Sequence, residues 1–191
     1  CSYVGKVSDD AFGKIFQQDL ESMGVRFNTK PAATGTPTAR SLVIITPDGQ
    51  RSMFTYLGAA VELDPEDVVE ESIRMHKITY LEGYLWDSPR AKEASIKAAR
   101  IAREAGRKVA LSLSDRFCVD RHRESFLDLL ENYVDVVFAN EVEVKSLYAV
   151  EDFDKIMIKL KHGRNIAVLT CGEKGSVIIS GEDTHNISVV P

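Results

Sequence analysis

Four short apolar segments recur at intervals of roughly one βαβ unit, and that rhythm restricts the fold more than any other feature of the sequence. They are Lys77-Ile-Thr-Tyr-Leu81, Lys108-Val-Ala-Leu-Ser-Leu113, Asp135-Val-Val-Phe-Ala139 and Asn165-Ile-Ala-Val-Leu169. Each is near-continuously apolar, as a strand covered on both faces should be. Helical patterns separate them, over about 89–105, 117–132, 141–149 and 152–162. Alternating β and α of this kind predicts an α/β fold, a doubly wound, mostly parallel sheet with helices on both faces.

The punctuation agrees with that reading. Asp64-Pro65 and Ser88-Pro89 each offer a side-chain acceptor at an N-cap and a proline at the first helical position, where the missing N–H does no harm. A helix over 10–22 stops at Gly24, and the second well-marked helix stops at Gly106; glycine accepts the left-handed conformation that ends a helix. Asn28 to Ser41 is polar and reads as a loop. Leu42–Thr46 and Arg51–Leu57 read as a hairpin around Pro47-Asp-Gly-Gln50, because proline presets one turn position and glycine takes the positive φ. Two strands alone are marginal in water, so this hairpin, about 38–58, should cover a site as a lid or form an edge or dimer interface. Ser176–Ser180 and Asn186–Val190, joined by Gly181-Glu-Asp183, predict a final antiparallel pair.

Composition narrows the function. The 191 residues are 44% hydrophobic and 28% charged, with 24 basic against 29 acidic side chains and a net charge of −5. A core can form. No apolar run approaches the ~18 residues of a membrane span, and a nucleic-acid binder should carry a basic face that is absent here. Cys1, Cys118 and Cys171 include no C-x-x-C pair and read as buried reduced thiols of a cytosolic protein; His76, His122, His162 and His185 show no i, i+4 pair that would suggest a metal site. The chain opens and closes in strand-like segments, which predicts an excerpt of a longer protein: one domain, 1–191, incomplete at both ends.

In open α/β sheets, ligands bind beyond the carboxyl ends of the strands. The polar residues met there are Glu82, Asp115, Asn140 and Thr170. Thr170-Cys171-Gly172-Glu173-Lys174-Gly175 is a T-x-G-x-x-G turn; its glycines allow close backbone approach to a ligand and its N–H groups can cradle an anion, although glycine turns between strands are also common for structure alone. Asn140-Glu-Val-Glu143 lies at a strand-to-helix junction. Asn140 can simply cap the helix, or Glu143 can hold Mg²⁺ through water. Asp120-Arg-His-Arg123 reads as a solvated helix face, and Trp86 as a ring packed under a loop.

Taken in order, Gly5-Lys-Val-Ser-Asp-Asp10-Ala-Phe-Gly13, the threonine-rich stretch leading to Pro47-Asp-Gly-Gln-Arg51, Asn140-x-x-Glu143 and Thr170-x-Gly172-x-x-Gly175 resemble the ribokinase-like (PfkB) carbohydrate and nucleoside kinases. Tyr80–Asp87 and Leu113–Arg123 resemble the bacterial adenosine-kinase-like branch. The resemblance implies ATP-dependent transfer of the γ-phosphoryl to a hydroxyl of a small sugar or nucleoside, in the cytoplasm. It implies nucleotide contacts from Asn140, Thr170, Cys171, Gly172, Glu173, Lys174 and Gly175. Glu143 would serve Mg²⁺ and phosphate, Glu82 would lie beside the acceptor, and hairpin 42–57 would belong to a lid that often forms dimers. The family's glycine-rich substrate motif, and its G-A-G-D motif with the catalytic Asp and anion hole, do not occur in these residues. The excerpt is therefore expected to be inactive although its parent is an enzyme. A non-catalytic ligand-binding homologue is the alternative. A nicotinamide-dependent oxidoreductase is another, against which stands the lack of a G-x-G-x-x-G after a first strand.

Overall fold

The computed structural model describes residues 1–33 and 35–189. The chain forms β1 (Ser2–Tyr3), α1 (Ala11–Ser22), β2 (Arg26–Phe27), β3 (Arg40–Ile45), β4 (Arg51–Tyr56), α2 (Glu70–Met75), β5 (Ile78–Glu82), α3 (Pro89–Glu104), β6 (Lys108–Ser112), α4 (Arg116–Asn132), β7 (Val136–Asn140), α5 (Glu141–Tyr148), α6 (Phe153–Lys161), β8 (Ile166–Thr170), β9 (Ser176–Ser180) and β10 (Asp183–Ile187). Six strands make the central sheet in the order β10-β9-β8-β7-β6-β5. Strands β5 to β8 are parallel, while β9 and β10 run antiparallel.

The register explains the core. Leu81, Leu111, Val137, Ala167 and Ile179 are successive cross-strand partners, and all five are buried. They share one cluster with Ala94, Ala98 and Ala102 of α3, Phe126 and Leu129 of α4, Leu147 of α5 and Ile156 of α6. Carboxylates and an amide start the helices as N-caps: Asp10 accepts from Gly13 N at 2.8 Å, Asp115 from Cys118 N at 2.8 Å, Asn140 from Glu143 N at 2.8 Å and Asp152 from Asp154 N at 3.1 Å.

The expected α/β fold with a mostly parallel sheet stands: α3 to α6, which connect β5 to β8, pack on one face of that sheet, and α1 packs on β2 outside it. Parallel crossovers are right-handed, and the strand order β5-β6-β7-β8 follows the sequence without reversal. Successive right-handed crossovers in one direction place their helices on one side. The other face carries Ile78 (58% exposed), Tyr80 (54%), Phe138 (38%) and Ile166 (38%). Apolar continuity along the strands thus marks two apolar faces, of which α3 to α6 cover one.

Three local expectations change. Asp64-Pro65 opens only a 3-10 turn, Pro65–Asp67, with a reciprocal capping box; Val68 and Val69 then take extended backbone, Val68 is buried, and α2 starts at Glu70. Ser88 does not cap α3, because its hydroxyl donates to the Val61 carbonyl at 2.9 Å. The last strand is Asp183–Ile187 rather than 186–190; Val190 lies outside the described residues, as does Thr34 of the polar loop.

The hairpin forms as read. β3 and β4 pair antiparallel, with Gly49 at φ 81° in the turn. Both strands are exposed along their whole length. The hairpin's near end is tied to the body. Asp10 accepts from Thr38 N at 2.9 Å and Thr38 Oγ1 at 2.7 Å, and Ala59 N donates to Pro37 O at 2.9 Å. The Arg40 guanidinium sits 5.3 Å from the Phe12 ring centre. These bonds hold the Asp10 carboxyl at a pKa of about 2, chiefly through the Thr38 N–H.

Candidate active site

The carboxyl ends of β5, β6, β7 and β8 form one edge, and the residues singled out from the sequence lie along it. Its first half is built from β5 and β6. Glu82 ends β5 and the 3-10 turn Gly83–Asp87 follows. Gly83 is pressed onto the end of β6: a Cβ there would lie 2.6 Å from Leu113 O and 2.9 Å from Ser112 O. Ser114 Oγ donates to Glu82 Oε2 at 3.0 Å and accepts from Tyr84 N at 3.3 Å. The Tyr84 hydroxyl donates to Ser114 O at 3.3 Å. Burial pushes the Tyr84 phenol pKa up, and the charges of Asp115, Glu143 and Glu82 push it further. Carboxylates that follow three different strands therefore act on one phenol.

The second half comes from β7 and β8. Asn140 and Thr170 are cross-strand partners. Asn140 and Glu143 form a reciprocal capping box: Asn140 N donates to Glu143 Oε2 at 2.9 Å, Asn140 Nδ2 to Glu143 Oε1 at 2.7 Å, and Glu143 N to Asn140 Oδ1. Glu143 is only 6% exposed. Desolvation raises its pKa, the Asn140 N–H opposes that, and the Asp115 charge adds to the rise. A buried carboxylate with a second carboxylate as neighbour suits a divalent cation, which relieves their repulsion. Each Glu143 oxygen keeps a second lone pair beyond its bond to Asn140, enough to hold a metal's water. The donor set fits Mg²⁺.

The Thr170–Gly175 turn is a backbone structure. Cys171 N donates to Gly175 O at 2.8 Å, Lys174 N to Cys171 O at 3.1 Å and Gly175 N to Gly172 O at 3.0 Å. Gly172 has φ 57°, and a Cβ there would meet nothing within 4 Å. Gly175 has φ 89°, and its Cβ would collide with Ile187 O at 2.0 Å. One glycine faces open space and the other lets β10 approach. Glu173 and Lys174 are exposed and Cys171 is half-buried.

The family profile described as pfkB family carbohydrate kinase matches residues 1–191. The chain belongs to that family. The pfkB chain is 49% identical to the adenosine kinase of Sinorhizobium meliloti, whose crystal structure superposes with a TM-score of 0.94 over 100% of this chain and 58% of that one. A "probable sugar kinase protein" from Rhizobium etli CFN 42 is 47% identical, with a TM-score of 0.94 and the same coverage. Among curated proteins, the ATP-dependent ribose-1-phosphate kinase of Halopiger xanaduensis is 28% identical over 84% of this chain and 52% of its own length. The chain spans about half the length of the curated relatives it matches. The ribokinase-like α/β fold stands, and the oxidoreductase alternative gives way to the family assignment.

Three readings of the sequence are refined in this pfkB chain. Asp120 and Arg121 are exposed, as a solvated face should be, but the segment is also bonded to its neighbours. Arg121 Nε and Nη2 bond the two Asp87 oxygens at 3.0 and 2.6 Å, His122 Nε2 meets Asp87 Oδ1 at 2.9 Å, Arg123 Nε donates to Ser146 O, and Asp120 accepts from Ser146 Oγ at 2.6 Å. The segment clamps α4 to the turn after β5 and to α5, and His122 leaves helical dihedrals to do so (φ −123°, ψ 20°). Cys118 and His122, four apart, come within ligating distance of Asp87. However, Arg121 holds both Asp87 oxygens, and burial first of all lifts the Cys118 thiol to about 11, so the group acts as a clamp. Cys118 is buried, but Cys1 is exposed and Cys171 intermediate, so burial describes one thiol of three. Trp86 is a core residue, 1% exposed; its indole N–H donates to Ser125 Oγ at 3.0 Å and its ring lies 5.0 Å from Phe126.

Proposed function

We propose that the protein containing this chain transfers the γ-phosphoryl of ATP to a hydroxyl of a nucleoside or sugar, adenosine being the first candidate. The observation that carries the reading is the placement of Glu82, Asp115, Glu143 and a glycine turn along one sheet edge, at the carboxyl ends of successive strands. The very similar adenosine kinase and sugar kinase structures support it without separating the two acceptor classes.

In this reading the nucleotide lies along Asn140 and Thr170–Gly175, where Gly172 leaves the backbone open, and the acceptor lies by Glu82 and Tyr84. Asn140 fixes the Glu143 carboxylate from two directions. Mg²⁺, when bound, neutralises phosphate charge. Glu143 and Asp115 would hold it through water. Phosphoryl transfer depends on positioning and charge stabilisation, and the capped, buried Glu143 is positioned before ligands arrive. No residue of this chain is assigned as the general base; the reading places that Asp in a G-A-G-D segment beyond Pro191. The hairpin β3–β4 is assigned as the lid, and its exposed Leu42, Ile44, Phe54 and Tyr56, which the register puts on one side, as the face that meets a second copy. The cytoplasm, which supplies ATP, is the assigned compartment. No described helix is long and apolar enough to cross a membrane.

The test is ATP turnover by the full-length protein with Mg²⁺ and a panel including adenosine and ribose. Product formed with one acceptor class supports the reading. ATP left intact with every acceptor leaves the non-catalytic homologue in its place.

A further inference from the structure

Ser114 carries a backbone conformation that its residue type does not favour. Its φ is 70°, and Ala149 is the other non-glycine residue with positive φ among those described. Ala149 ends a helix as a left-handed C-cap, a common place for that conformation. Ser114 instead stands between the end of β6 and the Asp115 cap of α4, at the site edge. Strained residues of this kind persist only where their surroundings determine them.

The surroundings are specific. Ser114 N donates to Ser112 Oγ at 3.3 Å. The Ser114 hydroxyl donates to Glu82 Oε2 at 3.0 Å and accepts the Tyr84 N–H at 3.3 Å, while its carbonyl accepts the Tyr84 O–H. Directly beneath, Gly83 lets the two strand ends touch at backbone level. Glycine at 114 would adopt the same φ without strain but would lose the bond to Glu82.

We infer that Ser114 is a positioning residue that aims the Glu82 carboxylate, together with Tyr84, at the acceptor hydroxyls. This inference rests on the reading of Glu82 as the acceptor-side residue. The left-handed backbone turns the hydroxyl back toward β5, so the carboxylate is held before any acceptor arrives. A bond to a carboxylate is charge-assisted and the stronger for it. Ordering Glu82 beforehand removes part of the entropy cost of binding.

The experiment compares Ser114→Gly, Glu82→Gln and the unaltered full-length protein. It measures the KM for adenosine and for ribose, the KM for ATP, kcat and Tm, and determines the crystal structure of Ser114→Gly. A purely structural serine predicts a changed Tm for Ser114→Gly, set by the balance of lost hydroxyl bonds and relieved backbone strain, with acceptor KM unchanged. A positioning serine predicts an acceptor KM raised about tenfold, an unchanged ATP KM, and a displaced Glu82 carboxylate. Acceptor KM changed in Glu82→Gln but not in Ser114→Gly overturns the inference alone. Acceptor KM unchanged in Glu82→Gln overturns the reading of the site beneath it. The crystal structure decides independently of turnover: a Glu82 carboxylate in its original place in Ser114→Gly overturns the positioning role.

Discussion

The two halves of the sheet edge are built by different means. At the ends of β5 and β6, side chains do the fastening: Ser114 to Glu82, Tyr84 to Ser114, Arg121 and His122 to Asp87. At the ends of β7 and β8, a single capping box holds Glu143, and backbone-to-backbone bonds shape the 170–175 turn. One half presents functional groups whose identity matters. The other presents main chain, where the absence of a side chain matters. That division suits an edge that recognises a particular acceptor at one end and a common phosphate donor at the other.

Matched glycine substitutions test the contrast. Gly83→Val should have the largest effect, since its Cβ would lie 2.6 Å from a backbone oxygen that cannot move without shifting β6. Overpacking of this kind costs about 3 kcal/mol, read as a lower midpoint in urea. An unchanged midpoint would break the claim that the first half is closely packed.

Glu143→Gln comes next and addresses the second half. It should leave ATP affinity nearly intact and lower kcat about a hundredfold, ~3 kcal/mol in the barrier. Full kcat would remove Glu143 from the metal and transition-state side. Gly172→Val has open space around its Cβ, so its stability cost should be only the strain of φ 57°, about 1–2 kcal/mol. Its main effect should be a raised KM for ATP, because the proposed function puts the nucleotide against this backbone.

The smallest effect belongs to the Asp87 clamp. Arg121→Ala should lower the urea midpoint only slightly, because the pair is partly exposed and screened. The Arg121 hydrogen bonds, helped by His122, hold the Asp87 carboxyl below its ordinary pKa. Its stabilisation is therefore present above the unfolded carboxylate pKa, near 4, and is lost as pH falls through the lower folded value. Urea midpoints of the two proteins between pH 3 and 7 should converge on acidification; a gap that widens would contradict the pairing.

Much of this was legible in the sequence, for identifiable reasons. Strand runs and helix caps are local, so β5 to β8 and α3 to α6 fall close to their expected bounds, and Glu82, Asn140, Glu143 and Thr170 follow from where strands stop. Sheet coverage is not local. An apolar strand reads the same whether one face or both are covered by its own helices, and only the strand order reveals which. The cap at Asp64-Pro65 serves a 3-10 turn as well as an α-helix. Ser114 gave no sign because serine does not announce positive φ as glycine does. The 120–123 clamp was hidden because its partner, Asp87, lies more than thirty residues away.

Amide hydrogen exchange on the full-length protein tests the division of the edge most directly. ATP with Mg²⁺ should slow exchange at 140–143 and 170–175 and leave 82–87 unchanged, while adenosine or ribose, whichever is turned over, should slow 82–87 and leave 170–175 unchanged. Protection of 82–87 by ATP alone, or of 170–175 by the acceptor alone, would contradict the account.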